Sequence, residues 1–278
     1  ITSMYYVSAS EGVEHTIHHL DALRDADHYL LIHTSDVHPW PPPLFQIPTT
    51  VQAQLPLKER VTEADHPVAS PYMQPSPANH RIFWQSIRDT DRALGTLFSY
   101  LEEQYAPEDY IVNLYSDHGV SIFSTPQDIV GTGLTHAAWM MRGAGVPGGV
   151  RTNELTSAVD IYPALAHLLD FPVGSNVDGI LPKILGGTGR DITYSNSLYP
   201  GKPYFLAARS RTHTLRLETQ EAIGMDGTVD LAHANVVLYP RAHENEAGYA
   251  VDSTELRAFF YPHARKIIQE IANNGEIW

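Results

Sequence analysis

The 278-residue sequence contains no cysteine. This absence excludes disulfide bonds, thiolate metal ligands and a cysteine nucleophile, although it does not decide between the cytoplasm and an oxidising compartment. Basic residues are also scarce: 18 Lys and Arg stand against 32 Asp and Glu, for a net charge of −14. Nucleic acids and anionic lipids are bound by clustered cations, so this balance argues against either as a partner.

The sequence also lacks the run of about 18 apolar residues that a membrane-spanning helix requires. Its 43% hydrophobic and 18% charged residues are typical of a folded protein, and its length suits one large domain or two ordinary ones. The first four residues resemble neither a signal peptide nor a translation start. We therefore expect the chain to begin inside a longer gene product.

Periodicity along residues 1–189 predicts alternating helices and strands, which is typical of an α/β fold. The pattern predicts a polar helix, a buried strand ending in a loop, a long surface excursion, an amphipathic helix, two further strands and a third helix. These elements are expected in that order at residues 14–26, 28–34, 41–79, 80–105, 110–116, 137–141 and 156–169.

After about residue 190 the pattern changes to short alternating runs followed by one helix. The runs at 204–209 and 212–217 and the helix at 253–273 predict a smaller antiparallel sheet with one packed helix. Glycines at 186–189 mark the boundary. We therefore expect two domains, residues 1–189 and 190–278.

Asp117, His118 and Gly119 directly follow the strand predicted at 110–116. Open α/β sheets bind ligands at the carboxyl ends of their strands, where a glycine permits a sharp turn. A carboxylate beside an imidazole offers a mixed ligand set for calcium, manganese or zinc. The alternative is an ordinary turn in which the aspartate caps local amides.

Several segments, in matching order along most of the chain, resemble the sulfatase branch of the alkaline phosphatase superfamily. They include a strand ending in a histidine–proline loop, the Asp-His-Gly strand end, an Arg-Gly turn and a Val-Asp helix start. The similar segments lie at residues 30–40, 89–95, 116–119, 139–148, 159–165, 177–182 and 238–246. The resemblance implies an alkaline-phosphatase-like, mostly parallel sheet flanked by helices, with a smaller C-terminal subdomain.

The chain departs from this family at its nucleophile. The family carries paired metal-binding acids and then Cys or Ser followed by x-Pro-Ser-Arg, and no such run occurs here. The family lysine is also missing, since no Lys lies between Asp117 and Arg142. The resemblance therefore covers the C-terminal half of the family, with the nucleophile on a missing N-terminal segment that could be supplied as a separate partner chain.

The resemblance also implies roles for individual residues. Asp117 and His118 would bind one divalent metal ion, with calcium favoured over manganese or zinc. His38 would contact the anionic ester and assist the leaving oxygen, and Trp40 would line the substrate site. His136 lies near the family arginine and would supply a donor. The alternatives are a loop histidine packed on its neighbours at His38 and a capping residue at His136.

Other acids and histidines have simpler explanations. His15, His18 and His19 form a solvated helix face or an adventitious metal site, Asp36 is a turn acid or orients His38, and Asp89 and Asp91 are structural. The resulting hypothesis is part of a metal-dependent hydrolase that cleaves sulfate, phosphodiester or phosphonate esters, with a periplasmic or secreted location favoured by the resemblance. The alternative is a catalytically inactive module of the same fold that binds a partner or an anionic ligand.

Overall fold

The structure, a computed structural model, describes residues 8–34, 36–37, 77–119, 129–198, 201–225, 228–230 and 233–273. The chain divides into two compact units. The first comprises Ile1–Tyr110 with Val120–Pro126, and the second Ile111–Gly119 with Gln127–Trp278. The domain boundary that the sequence places at 189 stays a prediction.

The first unit contains two helices, α1 (Ala9–Ala22) and α2 (Pro77–Gln104). Helix α1 begins with a capping box, because the Ser8 hydroxyl accepts from the Glu11 amide and the Glu11 carboxylate accepts from the Ser8 amide. Its buried face includes Val13 and Leu20, and α2, which packs on α1, buries Leu97. Both helices were predicted, α1 as a polar helix and α2 from its apolar spacing, although α1 begins and ends earlier than expected.

The prediction of a buried strand at residues 28–34 is wrong. These residues have no regular secondary structure, and Tyr29 and Leu31 are 83% and 68% exposed. A strand must pair its backbone amides and carbonyls with a neighbouring strand. Within the described ranges this segment has no strand partner, so its apolar composition alone does not make it a buried strand.

The second unit begins with strands β1 (Ile111–Tyr115) and β2 (Trp139–Gly143), which pair antiparallel. Side chains reinforce the pairing, since the Trp139 indole donates to the Asn113 side chain at 2.7 Å. One turn of helix, α3 (Thr132–Thr135), precedes β2, and α4 (Ile161–Leu168) follows it. The two strands and the later helix lie where the sequence predicts them.

The rest of the second unit is a four-stranded antiparallel meander with one helix. Its strands, in sheet order, are β3 (Thr193–Ser197), β4 (Pro203–Arg209), β5 (His213–Ala222) and β6 (Asn235–Pro240). Helix α5 (Thr254–Asn273) packs on this sheet through the fully buried Phe260. This arrangement confirms the predicted antiparallel sheet with a packed helix.

All strand pairs in the described part of the chain are antiparallel, including β1 with β2. The mostly parallel sheet that the resemblance implies is therefore not visible among these residues. Within the same ranges, each strand of the β1–β2 pair has one edge with no strand partner. Among the described helices, none combines the length and apolarity needed to cross a membrane.

Candidate metal-binding loop

The end of β1 is held firmly against the start of β2. Beyond the last strand pair, the Ser116 amide donates to the Ala138 carbonyl at 3.0 Å, and the Ala138 amide donates to the Ser116 hydroxyl at 2.8 Å. These two hydrogen bonds extend the ladder by one residue on each strand. The chain therefore leaves the sheet at a fixed point, and Asp117 is the first residue beyond it.

Asp117 and His118 lie side by side at this strand end. The Asp117 side chain is 77% exposed and that of His118 is 50% exposed, with 3.5 Å between Oδ2 of the carboxylate and Nε2 of the ring. The other carboxylate oxygen, Oδ1, accepts from the His118 amide at 2.8 Å. This hydrogen bond fixes the orientation of the carboxylate and leaves Oδ2 available to solvent or a ligand.

The imidazole of His118 is oriented through its second nitrogen, Nδ1, which lies 2.7 Å from the carbonyl oxygen of Gly119. Because a carbonyl can only accept, we assign the hydrogen to Nδ1, and the neutral ring then presents a lone pair at Nε2. Metal-bound histidines are commonly oriented by this kind of hydrogen bond. Nε2 and Asp117 Oδ2, which are 3.5 Å apart, are close enough to contact the same cation.

Gly119 packs closely against the segment that contains α3. Its amide donates to the Leu134 carbonyl at 2.7 Å, and a Cβ at this position would collide with the carbonyl oxygen of Gly133. The same Cβ would lie 3.1 Å from the His136 carbonyl oxygen. Only glycine allows this approach, so Asp117 and His118 are positioned by residues 133–136 as well as by the sheet.

Two ligands from adjacent residues are too few for a complete metal site, because calcium takes six or more oxygens and structural zinc takes four ligands. Among the described residues, no group of three or more His, Asp or Glu side chains is arranged to hold a metal ion. The donor types and orientation of Asp117 and His118 fit a divalent cation. They would provide part of its coordination.

The structure brings one further predicted site residue to this loop. His136 ends α3, its amide donates to the Thr132 carbonyl at 3.0 Å, and its own carbonyl lies beside Gly119. Its side chain is exposed. The backbone contact therefore places His136 next to the Asp117–Gly119 loop, while its role as a donor to substrate stays a prediction. His38 and Trp40 lie outside the described residues.

The acid at position 36 caps a helix. Asp36 Oδ2 accepts from the Ala9 amide at 2.8 Å, in the first turn of α1, where amides have no partner within the helix. Burial raises the pKa of Asp36, and this hydrogen bond opposes the rise.

Asp89 accepts hydrogen bonds from the side chains of Gln85 and Arg92 on the same helix, at 3.0 and 2.9 Å, as expected of a structural residue.

A family model described as Sulfatase matches residues 5–171 of this sequence, which is more than half of the chain. The chain belongs to the sulfatase family. The matched region contains the Asp117–Gly119 loop and ends just after α4. The resemblance identified from short segments of sequence is therefore confirmed.

Comparison with individual sulfatases and with proteins of the same fold shows what share of a relative's length this chain covers. It is 28% identical to arylsulfatase A of Homo sapiens over an aligned length of 184 residues, and the alignment covers 58% of this chain and 35% of that protein. The sulfatase-like protein YidJ of Bacteroides fragilis superposes with a TM-score of 0.70 at 15% identity, covering 98% of this chain and 61% of that one. The phosphonate monoester hydrolase of Agrobacterium radiobacter superposes with a TM-score of 0.52 at 18% identity, covering 71% and 42%.

These similarities confirm the predicted mixed α/β fold of the alkaline phosphatase type. The chain spans about a third of the length of human arylsulfatase A and about three fifths of that of the Bacteroides protein. At these identities the structural matches establish the fold alone.

Sequence reasoning missed a buried ionic cluster around Glu244, although this residue lies inside the segment 238–246 that resembles the family. The Glu244 and Arg209 side chains are each 5% exposed and form an ion pair. Burial by itself raises the pKa of Glu244, but the hydrogen bonds and charge of Arg209, with the hydrogen bond of Thr214 and the charge of Arg216, together outweigh it and hold that pKa below its ordinary value. The available signal for this cluster was Arg209 itself, a charged residue at the end of the apolar strand β4.

Proposed function

We propose that this chain contributes part of the metal site of a sulfatase-like hydrolase that cleaves sulfate esters. The observation that carries the proposal is the 3.5 Å approach of Asp117 Oδ2 and His118 Nε2, two metal-ligand atoms, at the end of β1. A bound divalent cation would polarise the ester oxygens and offset their negative charge. Calcium is the proposed ion because the carboxylate is a hard oxygen ligand. Manganese and zinc are the alternatives, because the site also offers an imidazole nitrogen.

Three other side chains have roles in this proposal. His38 protonates or hydrogen-bonds the departing oxygen, Trp40 packs against the alcohol part of the ester, and His136 donates to a sulfate oxygen. A nucleophile supplied from outside these 278 residues attacks the sulfur in line, because the sequence contains neither cysteine nor a Ser-x-Pro-Ser-Arg run. This assignment is supported by the coverage of only 35% of arylsulfatase A by the alignment.

The proposed ester carries one negative charge. A phosphate monoester carries close to two at neutral pH and favours sites with additional cations. The basic residues between positions 28 and 149 are few and none adjoins His38, Asp117 or His118 in sequence: they are Lys58, Arg60, Arg81, Arg88, Arg92 and Arg142. A sulfate is therefore favoured, with a phosphonate or phosphodiester as the second candidate, since the Agrobacterium hydrolase shares the fold.

Cation binding tests the metal assignment directly. Calcium and manganese are titrated calorimetrically into the 278-residue chain, into Asp117→Asn and into Asp252→Asn. Asp252 is the matched control because its side chain is 89% exposed and pairs with Arg257, well apart in sequence from the loop. We expect weak binding to the chain, loss of binding in Asp117→Asn and no change in Asp252→Asn. Tight binding that survives Asp117→Asn would refute the assignment.

Activity distinguishes the hydrolase from an inactive binding module. Rates of hydrolysis of nitrophenyl sulfate, phosphonate monoester and phosphate monoester are compared, using the full-length gene product that contains this chain. The proposal predicts the highest kcat/KM for the sulfate and loss of turnover in Asp117→Asn. Cation binding without hydrolysis of any ester would instead favour the inactive module, and a preference for the phosphate monoester would overturn the charge argument.

A further inference from the structure

The buried cluster around Glu244 lies in the C-terminal sheet, away in sequence from the Asp117–Gly119 loop. Arg209 Nε donates to Glu244 Oε2 at 2.8 Å, and Arg209 Nη2 donates to Oε1. The Thr214 hydroxyl donates to Oε2 at 2.9 Å, while Arg216 and Arg241 each approach the carboxylate to 3.3 Å. The carboxylate is therefore held from several sides and cannot move independently of the sheet.

Two contacts extend from this cluster to the segment before α3. Arg209 Nη2 donates to the carbonyl of Val130, a residue only 1% exposed. The Thr132 hydroxyl donates to Glu244 Oε2 at 3.4 Å. The guanidinium of Arg209 thus bonds Glu244 and the backbone of residue 130 at the same time. These contacts tie residues 130–132 to β4 and to the turn after β6.

The tied segment continues directly into the backbone that supports the candidate metal-binding loop. The Leu134 amide donates to the Gly131 carbonyl at 3.1 Å, and the Leu134 carbonyl accepts from the Gly119 amide at 2.7 Å. Gly119 in turn carries the carbonyl that orients the His118 ring. An unbroken series of contacts therefore runs from Arg209 and Glu244 to His118.

A single helical turn such as α3 is not stable in isolation, because forming the first turn costs more than its few hydrogen bonds return. Its position must be imposed from both ends. The β1–β2 ladder holds the later end at Ala138, and Arg209 with Glu244 holds the earlier end at Val130 and Thr132. Without that second attachment, residues 130–136 would lose the support that sets the position of the Gly119 amide.

We infer that Arg209 and Glu244 are positioning residues that set the geometry of the Asp117–Gly119 loop. They act through residues 130–136 and touch neither the proposed metal nor the substrate. The consequence for cation binding rests on the proposed function, whereas the positioning of the loop does not. Loop geometry and cation affinity can therefore be tested separately in the same variants.

The test compares Glu244→Gln with Arg190→Gln. Arg190 and Asp160 form the matched control pair, since their side chains are 11% and 1% exposed and they lie in the same unit. Their hydrogen bonds reach Asp178, Ser157 and Ile180, which lie outside residues 129–136. Hydrogen exchange of the amides in 112–119 and 129–137 is measured without metal and with chelator, beside urea unfolding of each variant.

Loss of a buried charged hydrogen bond should raise local opening by about ten-fold or more, so we expect that increase for the Gly119 and Leu134 amides in Glu244→Gln. Arg190→Gln should leave the exchange rates of both amides unchanged, once any change in the overall free energy of unfolding of that variant is subtracted. Arg209→Lys keeps the buried charge but loses the fork that bonds Val130 and Glu244 together, so it should fold and still raise local exchange. Equal exchange increases in the Glu244 and Arg190 variants, or no local increase in Arg209→Lys, would overturn the inference.

Calcium titration of the same variants then separates the two proposals. A weaker calcium affinity in Glu244→Gln and Arg209→Lys, with wild-type affinity in Arg190→Gln, supports positioning of a metal site. If wild-type chain binds no calcium while the exchange pattern appears as expected, the positioning of the loop stands and the metal assignment fails. If calcium binds through Asp117 but exchange at Gly119 does not respond, the metal assignment stands and the positioning role is refuted.

Discussion

Replacing Gly119 by alanine tests the close packing that positions Asp117 and His118. The added Cβ would collide with the Gly133 carbonyl oxygen and press on that of His136, and both are backbone atoms that cannot rotate away. Overpacking of this kind costs about 1 to 3 kcal/mol. The alanine also restricts the unfolded chain, which favours the folded state by about 0.4 to 1 kcal/mol. The difference between the middle values of these two ranges gives an expected net loss in the free energy of unfolding of about 1.3 kcal/mol.

Gly148→Ala is the matched control. Gly148 belongs to the same unit, does not adopt a positive φ, and would have no atom within 4 Å of an added Cβ. The same substitution there has only its effect on the unfolded chain, so it should leave stability unchanged or raise it by about 0.4 to 1 kcal/mol. The two variants are therefore predicted to differ in stability, with a loss at Gly119 and no loss at Gly148.

Urea unfolding followed by circular dichroism measures both changes, and amide exchange at 116–119 reports whether the loop has moved. We expect Gly119→Ala to lower the unfolding midpoint and to speed exchange in this loop. A stability equal to that of Gly148→Ala, with unchanged exchange, would show that Gly119 has room for a side chain. Residues 133–136 would then not be what positions Asp117.

Two further predictions concern the buried carboxylates of the second unit. Asp160→Asn should lower the free energy of unfolding by about 3 to 5 kcal/mol, because the Arg190 charge then stays buried without its partner. Asp252→Asn, at an exposed ion pair, is the control and should change urea unfolding little. Glu244 has a folded-state pKa below its ordinary value of 4.5, so its contribution to stability is complete above that pH and is lost as pH falls through the lower folded value. Urea unfolding of wild type and Glu244→Gln should therefore converge in acid, and a constant difference between them would contradict this reasoning.

Local signals in the sequence predicted most helices and the two strands β1 and β2 correctly, but not the antiparallel pairing of those strands. Helix hydrogen bonds join residues close in sequence, so the amphipathic spacing of α2 is enough to predict that helix. The strand β1 was predicted from its own run of β-prone residues. The segment at 28–34 shows the limit of this reasoning. Its composition is that of a buried strand, yet pairing requires a partner elsewhere in the chain, which the described residues do not supply.

The candidate site shows the same division between local and distant information. Asp117 and His118 were found because both follow one strand and carry metal-ligand chemistry in adjacent positions. The Arg209–Glu244 pair joins residues 35 apart in sequence, and its contact with Val130 spans 79. Nothing in the spacing of these residues indicates that they meet, because strand β5 and the turn after β6 must fold before the two charges approach each other.

The exposure of Asp117 and His118 has a further consequence for how a cation would be held. At 77% and 50% exposure both side chains are strongly hydrated, so a cation gains little by exchanging water for these two ligands alone. Affinity in such a site depends on how many further ligands converge and on how little the first two must reorganise when they do. The Gly119 carbonyl accepts a hydrogen bond from the His118 ring, and the His118 amide donates one to Asp117, so both ligands are already oriented and that reorganisation cost is removed. The geometry of this loop therefore matters most when additional ligands are present, and defects in its support should weaken cation binding in the assembled site more than in the chain alone.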